Sequence, residues 1–112
     1  SQAVCIDAHP MGLSRSLPPF RHSLVEACGS YVDIGSASAA AASATLNELK
    51  LHVVLNLNGW SGEDRSDVLA LRVAPVQVNL LGYAGPGGGH FVDALLSDAV
   101  SSPPDMRQFY SE

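Results

Sequence analysis

Short apolar runs separated by polar, glycine- and proline-marked breaks set the rhythm of this chain. Residues 3–8, Ala-Val-Cys-Ile-Asp-Ala, are apolar and followed by His9-Pro10, which predicts a buried strand ending at a loop. From Ser16 the spacing turns helical. Ser16 can cap a helix that tolerates Pro18 and Pro19 in its first turn, Leu17, Phe20, Leu24, Ala27 and Cys28 share one face, and Gly29 supplies the stop. Tyr31-Val32-Asp33-Ile34 reads as a second strand. Ser36 to Lys50 is Ala-rich without Gly or Pro, which favours helix; a flexible Ala/Ser linker is the alternative, and Leu46 and Leu49 at i,i+3 tip the balance to helix.

The most strand-like run is Leu51 to Leu57, β-branched and nearly continuous, as expected for a parallel strand covered on both faces. Asn58-Gly59 ends it. A polar stretch, Ser61 to Asp67, leads into a short helix at about 65–71, and Pro75 introduces another strand, Val76 to Leu81. A glycine-rich loop, Gly82 to His90, separates it from a buried strand over Phe91 to Ser97. Ser102-Pro103-Pro104-Asp105 has the form of a helix start, with Ser102 as cap and Met106 to Tyr110 helical.

Strands alternating with helices imply βαβ units, a parallel sheet and an α/β, Rossmann-like architecture. In such sheets ligands bind beyond the carboxyl ends of the strands. The loops expected there are His9–Ser14, Asn58–Glu63, Gly82–His90 and Asp98–Ser102.

With 112 residues, 46% hydrophobic and 15% charged, the chain has the size of one folded domain and not the composition of a disordered one. It begins at Ser1-Gln2 without Met and stops at Tyr110-Ser111-Glu112 in an expected helix, so it reads as an excerpt of a longer polypeptide. The net charge of −5, with six scattered Lys and Arg, argues against a nucleic-acid partner, because phosphate neutralisation needs clustered cations. No apolar run nears the roughly 18 residues of a membrane span. Cys5 and Cys28 lack a ligand-like spacing and are expected to be small buried hydrophobes in a reducing compartment, with no disulfide or metal role.

Candidate chemistry gathers in the loops. The glycine-rich segment lets backbone approach a ligand and exposes N–H groups, but it matches no phosphate-binding fingerprint, and on composition alone a flexible connection competes with a site. His90 could be a general base or an ordinary surface histidine. His52, at the start of a predicted central strand, suits a structural hydrogen bond better, and His9 invites the same caution. Asp7, Asp33, Asp93 and Asp98 show no acid/base partner in sequence, and Asp93 and Asp98 suit loop-fixing roles. The four histidines are irregularly spaced, so no metal pattern is supported. Trp60, just past a predicted strand, is either a stacking platform or a ring closing the core edge.

The ordered motifs resemble the catalytic region of the protein O-linked N-acetylglucosamine transferases and the Spindly-type enzymes. Leu51-His52-Val53-Val54-Leu55-Asn56-Leu57-Asn58-Gly59-Trp60 is similar to that family's "IHILVNMNGYT"; Leu71 to Val78 to "LRPAPIQV"; Leu81-Gly82-Tyr83 to the start of "LGYPGTSG". Phe91 to Asp98 parallels "FMDYIITD", and Ser102-Pro103-Pro104-Asp105 with Tyr110-Ser111-Glu112 parallels "SPPE" and "YSE".

The resemblance implies that residues 1–112 are part of the first lobe of a GT-B glycosyltransferase, whose full chain transfers N-acetylglucosamine from UDP-GlcNAc to Ser or Thr of proteins. It implies no metal or other cofactor, UDP-GlcNAc as donor substrate, protein acceptors, the remainder of the catalytic domain as packing partner, preceding TPR repeats, and a cytoplasmic or nuclear location without membrane or nucleic-acid partners. Donor- and acceptor-binding residues map onto Leu81, Gly82, Tyr83, Asn58, Gly59 and Trp60, and no catalytic residue can be named. The excerpt alone is expected to be inactive, since the groups holding the diphosphate belong to the second lobe. Two departures stand out. "PGTSG" becomes Ala84-Gly85-Pro86-Gly87-Gly88, losing two hydroxyls, and "YTKG" becomes Trp60-Ser61-Gly62-Glu63, losing a cation. They motivate the alternative of a non-catalytic peptide- or partner-binding module of the same fold.

Overall fold

The computed structural model describes residues 3–8, 23, 25–62, 64–80, 83 and 85–111. The expected loop His9–Ser14, most of the helix expected from Ser16, and Leu81, Gly82 and Ala84 lie outside the described residues. The chain divides into two compact units, Ser1–Ser38 and Ala39–Glu112.

In the first unit, strands β1 (Val4–Asp7) and β2 (Ser30–Asp33) pair in parallel with Cys5 opposite Tyr31 and Asp7 opposite Asp33. The Ile34 N–H extends the ladder by donating to the Asp7 carbonyl at 2.8 Å. Asp7 is buried, and its carboxylate accepts from the Tyr31 hydroxyl at 2.5 Å, which satisfies a charge otherwise costly to bury. Residues 25–28 are helical. The expectation of two unpaired cysteines is corrected here: Cys5 and Cys28 form a disulfide with their Cα atoms 5.6 Å apart. Sequence spacing gave no sign of it, because the pairing arises when β1 and the helical segment 23 residues later come side by side.

The second unit holds helix α1 (Ala39–Glu48), then β3 (Val53–Asn56), helix α2 (Ser66–Leu69), β4 (Val76–Leu80) and β5 (Ala94–Leu96). The three strands form a parallel sheet in the order β3-β4-β5. Helix α1 forms where Ala dominates and buries Ala42, Ser43 and Leu46, one stripe at helical spacing, and it packs against α2. Val54, Val68, Leu69, Val73, Ala74, Val78 and Val92 complete the buried apolar set.

Expected strands and helices recur at nearly the expected places, with four differences, one being that the buried strand expected over Phe91 to Ser97 is only Ala94–Leu96, with Leu96 51% exposed. Leu51 to Leu57 was expected to be covered on both faces, yet β3 pairs only with β4 among the described residues, and its burial alternates: Val54 is buried, while Val53 and Leu55 are 53% and 51% exposed. An edge strand with one covered face alternates in this way even where its sequence is continuously apolar. Residues Pro104–Phe109 form a 3₁₀ helix and not an α-helix. Two adjacent prolines remove N–H donors and the helix buries no face, so i→i+3 bonds such as Met106 N–H to the Pro103 carbonyl at 2.9 Å prevail. The cap position there is Pro103, without a side-chain cap, and the Ser102 hydroxyl bonds Tyr110 and Ser97 instead.

Gln77 fixes the amino end of β4. Its side chain is 1% exposed and fully engaged: Oε1 accepts from the Val73 N–H at 3.0 Å, and Nε2 donates to the carbonyls of Leu69 at 2.9 Å and Phe91 at 2.6 Å. Beside it the Asp93 carboxylate accepts from the Gln77 N–H at 2.8 Å and from the Arg72 guanidinium at 2.5 Å. One glutamine thus joins the end of α2, the entry to β4 and the approach to β5. No helix among the described residues is long and apolar enough to cross a membrane.

Candidate functional site

The carboxyl ends of β3 and β4 carry a cross-strand amide pair. Asn56 and Asn79 are register partners, and Asn56 Nδ2 donates to Asn79 Oδ1 at 2.9 Å. Asn56 Oδ1 in turn accepts from the Asn58 N–H at 3.2 Å, so the strand ends in a side-chain-closed turn. The Ser61 hydroxyl lies 2.7 Å from the Asn58 carbonyl and 2.5 Å from Asn58 Oδ1, and the Ser61 N–H donates to the same carbonyl at 3.2 Å. These bonds hold the Asn58-Gly59-Trp60-Ser61 segment in one shape.

Gly59 sits at the turn with φ +55°, a left-handed conformation that glycine adopts without a Cβ penalty. It is also a close approach. A Cβ at Gly59 would lie 2.5 Å from the Cβ of Tyr83, and one at Gly85 would lie 2.6 Å from the Tyr83 ring. Tyr83 therefore passes between two glycines that make room for it. A Cβ at Gly89 would collide with the ring of Phe91 in the same manner.

Trp60 closes the arrangement. Its indole N–H donates to the Gly87 carbonyl at 2.7 Å, while 46% of the residue remains exposed. The ring therefore has its polar edge tied down and apolar surface open, which suits a stacking platform and does not close the core edge. The described part of the glycine-rich segment is likewise more than a loose connection, being held at Gly87 by Trp60 and passing close to the Tyr83 ring at Gly85.

Of the six residues expected to contact substrates, Asn58, Gly59, Trp60 and Tyr83 are brought together; Leu81 and Gly82 lie outside the described residues. His90 and His52 are exposed. His52 precedes β3, at the amino end of the sheet, and so lies away from the loops. Asp98 fixes a loop as expected: its carboxylate accepts from the N–H groups of Ser101 at 2.7 Å and Val100 at 2.9 Å, and these bonds hold its pKa below the usual carboxylate value. Among the described residues no group of three His, Cys, Asp or Glu side chains could hold a metal ion.

Asn56 and Asn79 were not among the residues expected to contact substrates. A signal for both was present, since asparagine is disfavoured within strands. Nothing in the sequence marked the Gly87 carbonyl as the acceptor for Trp60.

Comparison with known proteins identifies the family. The model of glycosyl transferase family 41 matches residues 13–112. A probable UDP-N-acetylglucosamine–peptide N-acetylglucosaminyltransferase, SEC, of Arabidopsis thaliana is 32% identical over 82 residues, covering 73% of this chain and 8% of that protein. The UDP-N-acetylglucosamine–peptide N-acetylglucosaminyltransferase of Caenorhabditis elegans is 32% identical over 94 residues, 83% of this chain and 8% of that one. The chain thus spans under a tenth of the length of these relatives. A solved O-GlcNAc transferase mutant from Thermobaculum terrenum superposes with a TM-score of 0.88 at 23% identity, over 99% of this chain and 20% of that one. Its fold bears out the α/β, parallel-sheet reading. From the ordered motifs, the two parallel sheets and the match over residues 13–112, the chain belongs to glycosyl transferase family 41 as a fragment of its catalytic region.

Proposed function

We propose that the polypeptide carrying this chain transfers N-acetylglucosamine from UDP-GlcNAc to Ser or Thr hydroxyls of proteins, and that residues 1–112 supply part of the first lobe. The observation that carries the reading is the joining of the Asn58-Gly59-Trp60 turn to the glycine-rich segment at the carboxyl ends of β3 and β4. The turn that resemblance puts near the acceptor peptide and the loop that it puts against donor sugar and acceptor meet there, where parallel α/β sheets take their ligands. Asn58, Gly59, Trp60, Tyr83, Leu81 and Gly82 are proposed as the contacts. The exposed apolar residues of the sheet, Val53, Leu55, Val76 and Leu96, support packing against the remainder of the catalytic domain. Metal independence, preceding TPR repeats and a cytoplasmic or nuclear place of action rest on resemblance. The Cys5–Cys28 disulfide bears on the last, because structural disulfides persist in oxidising compartments.

The test is incorporation of labelled N-acetylglucosamine into a Ser/Thr peptide mixture by the full polypeptide, beside a Trp60→Ala variant, at a half-exposed contact. Label transferred by the parent and lost in the variant supports the reading. The second reading, a non-catalytic peptide-binding module, is favoured by the hydroxyl-free Gly85-Pro86-Gly87-Gly88 segment. Peptide binding with no transfer from UDP-GlcNAc or GDP-fucose would establish it.

A further inference from the structure

One backbone group fixes every amide orientation at the ends of β3 and β4. The N–H of Asn58 can only donate, and it meets Asn56 at 3.2 Å, so the Asn56 oxygen must face Asn58 and the Asn56 NH2 must face β4. That NH2 lies 2.9 Å from the Asn79 carboxamide, which makes the facing Asn79 atom its oxygen. The Asn79 NH2 is consequently turned away from Asn56. No acceptor among the described residues takes either of its protons, although Asn79 is 6% exposed.

Buried donors without a partner are uncommon and destabilising, and they call for something that the protein alone does not supply. Sheet stability does not explain the residue, because asparagine is a poor strand former and β4 is the middle strand. Its place is also telling: Asn79 stands at the carboxyl end of β4, opposite the strand end that carries the Asn58-Gly59-Trp60 turn. We propose that the Asn79 NH2 is a substrate-binding donor for a carbonyl, hydroxyl or phosphate oxygen in the crevice beyond β3 and β4, with its own oxygen held by Asn56. The assignment rests on the glycosyl-transfer reading and adds a positioning contact to it.

Two isosteric variants of the full polypeptide test this. Asn79→Asp keeps the oxygen that Asn56 needs and replaces the free NH2 with an oxygen. Asn56→Asp leaves Asn79 untouched but removes the donor facing it, so the Asn79 amide turns round, donates to Asp at position 56 and presents its oxygen to the crevice. Both are expected to raise KM by about tenfold, the cost of losing one hydrogen bond to substrate, with kcat changed far less. KM is measured separately for UDP-GlcNAc and for the Ser/Thr peptide, and the substrate whose KM rises is the source of the oxygen. Unchanged KM for both substrates, with only a lower melting midpoint, means that the donor meets solvent water and overturns the proposal. Should Asn79→Asp fail to fold, Asn56→Asp decides alone. If the unaltered polypeptide transfers no sugar, the functional reading fails first and this assignment falls with it.

Discussion

Trp60 and Gly87 are joined by a 2.7 Å hydrogen bond from the indole N–H to the backbone carbonyl, across 27 residues of chain. The bond links the turn after β3 to the glycine-rich segment after β4, and with the Gly59–Tyr83 contact it fixes the separation of the loops that follow two paired strands. A tyrosine at this position, as in the related "NGYT" motif, has no donor at the same place.

Trp60→Phe keeps an aromatic surface and removes the donor. A single hydrogen bond is worth about 1 kcal/mol net, so KM is expected to rise about fivefold in steady-state kinetics of the full polypeptide, and limited proteolysis within residues 85–90 is expected to accelerate. Kinetics and cleavage rates equal to the parent's would show that the bond does not position the segment.

Gly59→Ala is expected to destabilise the fold by about 2–4 kcal/mol, through a left-handed residue that acquires a Cβ and a collision with Tyr83. Urea unfolding measures it. The collision is with the Tyr83 Cβ, so Tyr83→Ala in the same chain should give no relief, whereas Tyr83→Gly should recover part of the loss.

The elements of this fold were largely legible in the sequence because each depends on a local signal: alanine density for α1, β-branched runs for β3 and β4, Pro75 for the start of β4. The β3 edge and the disulfide were not legible, since both are decided by which segments become neighbours. Within the candidate site the same division holds. Gly59 and Trp60 stand out as types, but that Tyr83 needs the space at Gly59 is a fact of two loops meeting, and Asn79 gains its meaning only from the direction of the Asn58 N–H.

The Asp93 pKa lies below the usual carboxylate value, first because of the Arg72 side chain and then because of the Gln77 N–H. A carboxylate whose folded pKa is depressed adds stability that is present above its unfolded pKa, near 3.9, and lost as pH falls through the folded value. Melting midpoints of parent and Asp93→Asn should therefore differ most above about pH 5 and converge only in acid below the depressed folded pKa. A constant difference across that range would mean that the ionised form is not preferred.

Denaturing mass spectrometry without reductant should show the chain two hydrogen atoms lighter than its sequence mass and free of reactive thiols. Closing a loop of this size stabilises by about 3 kcal/mol in the chain-entropy model, so Cys5→Ser should lower the unfolding free energy of the first unit by about that much. Two free thiols in protein isolated under alkylating conditions from its host would place it in a reducing compartment.

The passage of Tyr83 between Gly59 and Gly85 also governs how this region can drift over time. Side chains that point outward from the segment are free to exchange, and the loss of hydroxyls there needs no compensation in the scaffold. The two glycines are not free in this sense: Gly85 is the vacant half of a fit whose other half is the Tyr83 ring, and Gly59 of one whose other half is the Tyr83 Cβ, so neither can change before residue 83 does. A lineage can therefore alter what this mouth recognises by many single steps, but it can alter the mouth's width only by steps taken in pairs.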